Sequence, residues 1–170
     1  GFSDLGHTDL REVRGLSMVQ FWMRNSDIKE FNNNRLLLKK NADGSTSRHL
    51  MISDLGASFG SVFHEMPDLL SWKMISSQNE KDIILNYNSF HPSGVRNIMT
   101  LADARWAARL IANLSREQIK AAVDYGSWPE CIRPIVVEKL ISRRNDMMQV
   151  FGLVGSRQLD GRVIQLMPVT

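Results

Sequence analysis

A predicted β-hairpin near the start of the chain joins two polar segments that carry acidic residues. Arg35 to Lys40 and His49 to Ser53 are short apolar-rich runs, and Asn-Ala-Asp-Gly-Ser between them is typical of a turn. The first run is expected to be a buried strand. Asp27-Ile28-Lys29-Glu30-Phe31-Asn32 precedes the hairpin, and Asp54-Leu55-Gly56 follows it. Apolar residues at helical spacing from Thr8 to Met23 predict a helix before the first polar segment.

The two polar segments contain the residue types that phosphoryl transfer requires. One carboxylate orients the attacking hydroxyl, a second carboxylate and an amide oxygen hold magnesium, and a cation neutralises charge on the phosphoryl group. Asp27, Lys29, Asn32 and Asp54 supply this set. A purely structural interpretation stands beside it. In that interpretation the aspartates cap helices and the asparagines form turns.

This order of elements and motifs resembles the C-lobe of the protein-kinase-like superfamily, whose loop reads Asp-x-Lys-x-x-Asn before two strands and Asp-Phe-Gly. The resemblance covers residues 8–60. The sequence Ile52-Ser53-Asp54-Leu55-Gly56 is also similar to the metal-binding turn of phosphoinositide kinases. The stretch from Thr100 to Leu153 resembles the tail of uncharacterised bacterial proteins with a similar turn, which implies an atypical, bacterial-type family and names no activity.

The resemblance implies a role for each matching residue. Asp27 would be the catalytic acid–base residue, and Lys29 would lie near the γ-phosphate as a point charge. Asn32 and Asp54 would coordinate Mg²⁺, and Gly56 would permit the sharp turn after the metal ligand. The implied cofactors are Mg²⁺ and ATP. The implied partners are a nucleotide and a hydroxyl acceptor on a protein or a small molecule.

The chain departs from the family pattern at several points. Asn25-Ser26 stands where many protein kinases have His-Arg, no Ala-Pro-Glu follows, and Leu55 replaces Phe. A Val-Ala-Ile-Lys strand and a glycine-rich phosphate loop are also missing from the sequence. The resemblance therefore implies the catalytic C-lobe of a kinase whose nucleotide-binding lobe lies elsewhere in the parent chain. Two alternatives remain: a pseudokinase or regulatory binding module without turnover, and an unrelated helical interaction domain.

The rest of the sequence predicts mainly helices. A brief irregular helix is expected over 61–77, a loop over 78–94, and a helix from Thr100. The capping-box pattern Ser115-Arg116-Glu117-Gln118 predicts a further helix that ends at Gly126. The longest helix is expected between 129 and 151, with Pro134 either in its first turn or at a kink. Arg143-Arg144 is expected at its solvent-exposed end.

These elements predict an α+β fold with helix in excess. Residues 1–153 form one kinase-like unit in this interpretation, with a catalytic and metal-binding segment at 8–60 and a helical subdomain at 100–153. Residues 154–170 form a C-terminal tail, with a small hairpin at Asp160-Gly161.

Composition narrows the class of partner. The net charge is only +3, from 21 basic and 18 acidic side chains in 170 residues, so we expect no nucleic-acid partner. The apolar runs are too short to span a membrane. A single cysteine excludes an internal disulfide and a cysteine-rich zinc site. The sequence leaves open whether the parent is cytoplasmic or exported.

Overall fold

The computed structural model describes residues 7–25, 34–52, 58–59, 75–78, 83–85, 98–158 and 160–170. Over these ranges the chain forms four α-helices and two small antiparallel sheets of two strands each. The predicted α+β class with helix in excess is therefore confirmed. None of the helices in these ranges is long and apolar enough to cross a membrane.

Helix α1 runs from Arg11 to Met23, after a single 3-10 turn at His7–Asp9. Its end has the geometry of a Schellman motif. Arg24 adopts a left-handed conformation with φ 50°, and its N–H points at the carbonyls of Gln20 and Phe21. The N–H of Asn25 then donates to the Gln20 carbonyl at 2.9 Å. This arrangement ends the helix directly before the polar segment that contains Asp27, as the sequence predicts.

The first predicted hairpin is confirmed. Strand β1 (Asn34–Lys40) pairs antiparallel with β2 (Thr46–Ile52), and Asn34 lies opposite Ile52. The predicted burial of the first strand is wrong at Leu37 and Leu38, which are 51% and 64% exposed. Successive side chains point to opposite faces of a strand. Both faces of the β1–β2 hairpin are therefore exposed to solvent at these two residues.

A second hairpin replaces elements that the sequence predicts differently. Strand β3 (Ile75–Gln78) pairs antiparallel with β4 (Ile83–Leu85), where a helix ending at 77 and a loop over 78–94 are expected. Those two predictions are wrong at these positions. Strands of four and three residues are too short to show a clear alternation of apolar and polar residues. Tertiary packing decides the secondary structure of such short segments.

Three further helices form the second half of the fold. They are α2 (Leu101–Ala112), α3 (Arg116–Tyr125) and α4 (Arg133–Val150), and β3 contacts the last of them. The predicted capping box at the start of α3 is confirmed, and Gly126 ends that helix. Pro134 lies in the first turn of α4, where its missing N–H costs no helical hydrogen bond.

An ion pair between a partly exposed arginine and a buried aspartate joins α1 to the start of α2. The Asp103 carboxylate accepts from Arg14 Nε at 2.7 Å and from Arg14 Nη2 at 3.1 Å. It also accepts from the N–H and the hydroxyl of Thr100, which completes a capping box. Burial alone would raise the pKa of Asp103, but the Arg14 and Thr100 hydrogen bonds outweigh it and lower this pKa to about 2.

One hydrophobic core contains α1, α2, α3, α4 and the C-terminal tail. Leu153 and Ile164 are fully buried in it together with residues of the helices. The small hairpin predicted at Asp160-Gly161 is present, with a bridge between Arg157 and Val163. The tail that the sequence sets apart after residue 153 therefore packs in the same core as the helices.

Candidate functional site

The five residues that the sequence predicts for a phosphoryl-transfer site all lie outside the described residues. They are Asp27, Lys29, Asn32, Asp54 and Gly56. The described residues do include the chain on both sides of each motif. The environment of the predicted site is therefore described through the end of α1, the first hairpin, the dipeptide Ser58-Phe59 and the face of α4.

Helix α4 holds the last turn of α1 through two reciprocal hydrogen bonds. The indole N–H of Trp22 donates to the Leu140 carbonyl at 2.9 Å. In return, Arg143 Nη1 donates to the Trp22 carbonyl at 3.0 Å. Both bonds are buried, so water cannot replace either partner. The backbone that leads towards Asp27 thus begins from a fixed position.

The residue after α1 is equally constrained. Asn25 is completely buried, and its amide Nδ2 donates to Gln20 Oε1 at 2.9 Å. A buried amide that lacked such bonds would be costly, so this pair supports one conformation of the turn. The sequence has Asn25 where many kinases have histidine. Its role in the described structure is to hold the end of the helix.

The chain that follows Asp54 comes back to the end of α1 at Phe59. The N–H of Phe59 donates to the Met23 carbonyl at 2.8 Å, which is one of the carbonyls left without a helical partner. The Phe59 ring meets Trp128 edge to face, with 5.3 Å between ring centroids and an interplanar angle of 88°. Phe59 also has a positive φ of 69°, which is rare for a bulky residue. Backbone strain of this kind is concentrated at functional sites.

Two cations of α4 are buried, and one of them, Arg143, contacts the end of α1. Arg143 is 2% exposed and Lys139 is 4% exposed, and they stand one helical turn apart. Neither side chain is without a partner. Buried cations are rare unless they are paired or hydrogen-bonded, and Arg143 has such a bond to the Trp22 carbonyl.

The prediction that Arg143-Arg144 ends the helix in solvent is wrong. Helix α4 continues to Val150, and Arg144 is only 3% exposed. No proline or glycine interrupts residues 145–150, so the helix continues until Phe151 and Gly152, where φ becomes positive at 61°. The arginines therefore lie inside the last helix and bind backbone carbonyls.

The described ranges hold no group of three or more histidine, cysteine, aspartate or glutamate side chains placed to bind a metal ion. Among the carboxylates of these ranges, Asp103 is the one whose pKa is lowered as far as about 2. Its hydrogen-bond donors are Arg14 and Thr100. That geometry joins two helices. We therefore assign Asp103 to the scaffold.

The sequence contained a signal for the buried cations that periodicity analysis overlooked. Lys139 and Arg143 recur at the same helical spacing as the apolar residues Val136 and Leu140, so they belong to the buried stripe of α4. A charged residue in register with an apolar stripe indicates a buried bonded group. Phe59 gave no comparable signal, because its contact with Trp128 joins residues that are distant in sequence.

Comparison of the chain with protein-family models, with curated proteins and with solved structures gives no match. The kinase-like resemblance therefore depends on the motifs and on the order of the elements.

Proposed function

We propose that this chain is the catalytic portion of an atypical kinase that transfers the γ-phosphoryl group of Mg-ATP to a hydroxyl of a protein or a small molecule. The observation that carries this proposal is the hydrogen bond from the Phe59 N–H to the Met23 carbonyl at 2.8 Å. It joins the segment that follows Asp54 to the helix end that precedes Asp27. Such proximity is what a site shared by the two motifs requires.

The pairing of β1 with β2 also supports the proposal. Asn34 and Ile52 are paired across β1 and β2. Asn32 and Asp54 are each two residues away from this pair, and a chain advances at most about 3.6 Å per residue. Both motifs therefore have a short tether to the same end of the hairpin. This tether length permits the amide of Asn32 and the carboxylate of Asp54 to share one magnesium ion.

In the proposed reaction the oxygen of the acceptor hydroxyl attacks the γ-phosphorus, and Asp27 accepts the hydroxyl proton. The bond from the γ-phosphorus to the β,γ-bridging oxygen breaks, and ADP leaves with that oxygen. Lys29 neutralises charge on the transferred group. Asn32 and Asp54 would hold Mg²⁺, which orients the phosphates and stabilises their charge. Oxygen ligands of this kind suit magnesium better than a softer metal.

A second candidate is a binding module that keeps the fold without turnover. It is favoured by a feature of the sequence, which contains neither a Val-Ala-Ile-Lys strand nor a glycine-rich phosphate loop. Without these parts, fewer protein groups hold the β- and γ-phosphates of ATP. Phosphoryl transfer depends on the position of those phosphates, so turnover is lost before nucleotide binding is. Metal-dependent nucleotide binding without turnover would be its signature.

The decisive experiment uses the chain together with the upstream sequence in which the nucleotide-binding lobe is expected, and it compares the wild type with Asp27→Ala, Asp54→Asn and the control Asp43→Ala. Asp43 is an exposed aspartate in the turn of the same hairpin, where it accepts from Ser45 Oγ at 2.6 Å. We would measure thermal protection by ATP with and without Mg²⁺, and the rate of ATP turnover.

Wild type and Asp43→Ala should both show magnesium-dependent protection, which reaches about 2.7 kcal/mol at a ligand concentration of 100 Kd. In Asp54→Asn, thermal protection by ATP should no longer depend on magnesium. Asp27→Ala should retain protection and lose turnover by about a hundredfold or more. Equal turnover in all four proteins would contradict the catalytic assignment. Complete absence of magnesium-dependent protection would favour the helical interaction domain instead.

A further inference from the structure

The β1–β2 hairpin exposes apolar side chains on both of its faces. Leu37 and Leu38 are neighbours on β1, so their side chains point to opposite faces of the hairpin. Each of these residues is more than half exposed, and Met51 on β2 is exposed as well. The two strands pack chiefly against each other. Burial of both leucines therefore requires a partner that reaches both faces.

Both edges of the hairpin are open among the described residues, where β1 and β2 form a sheet of two strands. The N–H of Asn41 donates to the Ser45 carbonyl at 2.9 Å, so these residues form the hydrogen-bonded pair next to the turn. Bonded and non-bonded pairs alternate along an antiparallel ladder. The backbone groups of Leu38 and Lys40 therefore point away from β2, and those of Thr46 point away from β1. Either edge can accept an additional strand.

An extended strand at the β1 edge would contact both exposed leucines at once. The side chains of an added strand alternate between the two faces of the sheet, so one of them packs beside Leu37 and the next packs beside Leu38. A helix or a membrane surface covers one face and leaves the leucine of the other face in water. The positions of the two leucines therefore favour an extended peptide as the occupant.

The charge of the hairpin favours an acidic peptide. Residues 34–52 contain four lysines and arginines but one acid, Asp43. Asp43 lies in the turn, where it accepts from the N–H and the hydroxyl of Ser45. Lys39 and Lys40 follow the two leucines, are exposed, and have no carboxylate partner among the described residues. A second copy of the hairpin would bring cations next to cations, and like charges on neighbouring strands are destabilising.

We propose that the β1 edge binds an extended acidic peptide of a partner protein as a third strand. The peptide carries two acidic residues followed by two apolar residues. In the antiparallel orientation, which is the more stable one, the acidic pair lies beside Lys40 and Lys39 and the apolar pair lies beside Leu38 and Leu37. Backbone hydrogen bonds of the edge supply affinity, and these four side chains supply specificity. The surface contains none of the residues of the proposed phosphoryl-transfer site.

The test is a calorimetric titration of the full chain with two end-blocked peptides at low and at high salt. The acidic peptide is Thr-Thr-Glu-Glu-Val-Ile-Thr-Thr, and the basic peptide has Lys-Lys in place of Glu-Glu. We expect saturable binding of the acidic peptide that weakens at high salt, and binding of the basic peptide that is at least about tenfold weaker. Hydrogen exchange of the Leu38 and Lys40 amides should slow in the complex, whereas exchange of the Thr46 amide on the opposite edge should not.

Charge reversal on the hairpin tests the specificity. Lys39→Glu combined with Lys40→Glu should exchange the preference, so that the basic peptide binds more tightly than the acidic one. Arg105→Glu combined with Lys120→Glu is the matched control, because it changes the net charge equally at exposed residues of α2 and α3. That control should keep the preference of the wild type for the acidic peptide.

Leu38→Pro tests the backbone bonds of the β1 edge. Proline removes an N–H that points away from β2, so the hairpin should persist while the acidic peptide binds at least about tenfold more weakly. Leu38→Ala keeps the N–H and should weaken binding less. Thr46→Pro is the control on the opposite edge and should leave the Kd unchanged. Nuclear Overhauser contacts between β1 and β2 check that each proline variant keeps the hairpin, and the charge reversals decide the question where one does not.

Equal binding of the two peptides by the wild type, or no saturable binding of either, would overturn the proposal. Slowed exchange at Thr46 in place of Leu38 would overturn the choice of edge. Self-association in the ultracentrifuge without peptide binding would assign the hairpin to a second copy, and sedimentation with phosphatidylserine vesicles without peptide binding would assign it to a membrane surface. These measurements use neither nucleotide nor magnesium, so this proposal and the kinase proposal fail independently.

Discussion

The ion pair between Asp103 and Arg14 should contribute a measurable and pH-dependent part of the stability of the fold. The Asp103 side chain is 3% exposed, and its pKa is lowered from 3.8 to about 2. Because one pKa unit corresponds to about 1.36 kcal/mol, the ionised carboxylate stabilises the fold by about 2 kcal/mol at neutral pH. Asp103→Asn keeps the shape of the side chain and removes this charge.

The sign of the pH dependence follows from a folded-state pKa that lies below the unfolded one. The contribution is complete above the unfolded value near pH 4, and it is lost as the pH falls through about 2. We therefore expect Asp103→Asn to lower the free energy of unfolding by about 2 kcal/mol at pH 7 and by about 1 kcal/mol at pH 3. Urea unfolding of wild type and variant at both pH values measures this difference directly.

The matched control is Asp160→Asn. Asp160 also pairs with an arginine, but the two side chains are 47% and 63% exposed, so solvent screens their interaction. That variant should cost far less at every pH. A difference between wild type and Asp103→Asn that does not change with pH, or one no larger than that of Asp160→Asn, would refute the reasoning.

Two further predictions concern close packing and the tail. Gly15→Ala in α1 would place a Cβ 2.9 Å from the Trp106 ring. Overpacking should cost about 1–3 kcal/mol, which outweighs the gain in helix propensity of about 1 kcal/mol, so Tm should fall. A rise in Tm would contradict this close contact. Asn145 donates to the Met167 carbonyl at 2.7 Å and accepts from the Met167 N–H at 3.0 Å. Asn145→Ala should cost about 1–3 kcal/mol and accelerate hydrogen exchange of the Met167 amide, whereas unchanged exchange would show that other contacts hold the tail.

Much of the local structure was predictable because short-range chemistry decides it. The Ser115–Gln118 capping box, the Asn41–Ser45 turn and the position of Pro134 each depend on residues within a few positions of one another. The second hairpin was missed because β3 and β4 are too short to carry a periodic signal. The burial of Arg143 and Arg144 was missed, although Arg143 is in register with the apolar stripe of α4, because a pair of arginines is also typical of the basic end of a helix.

For the candidate site, the sequence by itself determined the residue types, their order and the hairpin that joins the two motifs. Those are properties of neighbouring residues. Only the tertiary structure decided that the Phe59 N–H binds the Met23 carbonyl, that α4 holds the end of α1 through Trp22, and that the tail completes the core. Each of these contacts joins residues far apart along the chain. Their energy depends on a geometry that exists only once the helices have packed, and no local pattern encodes it.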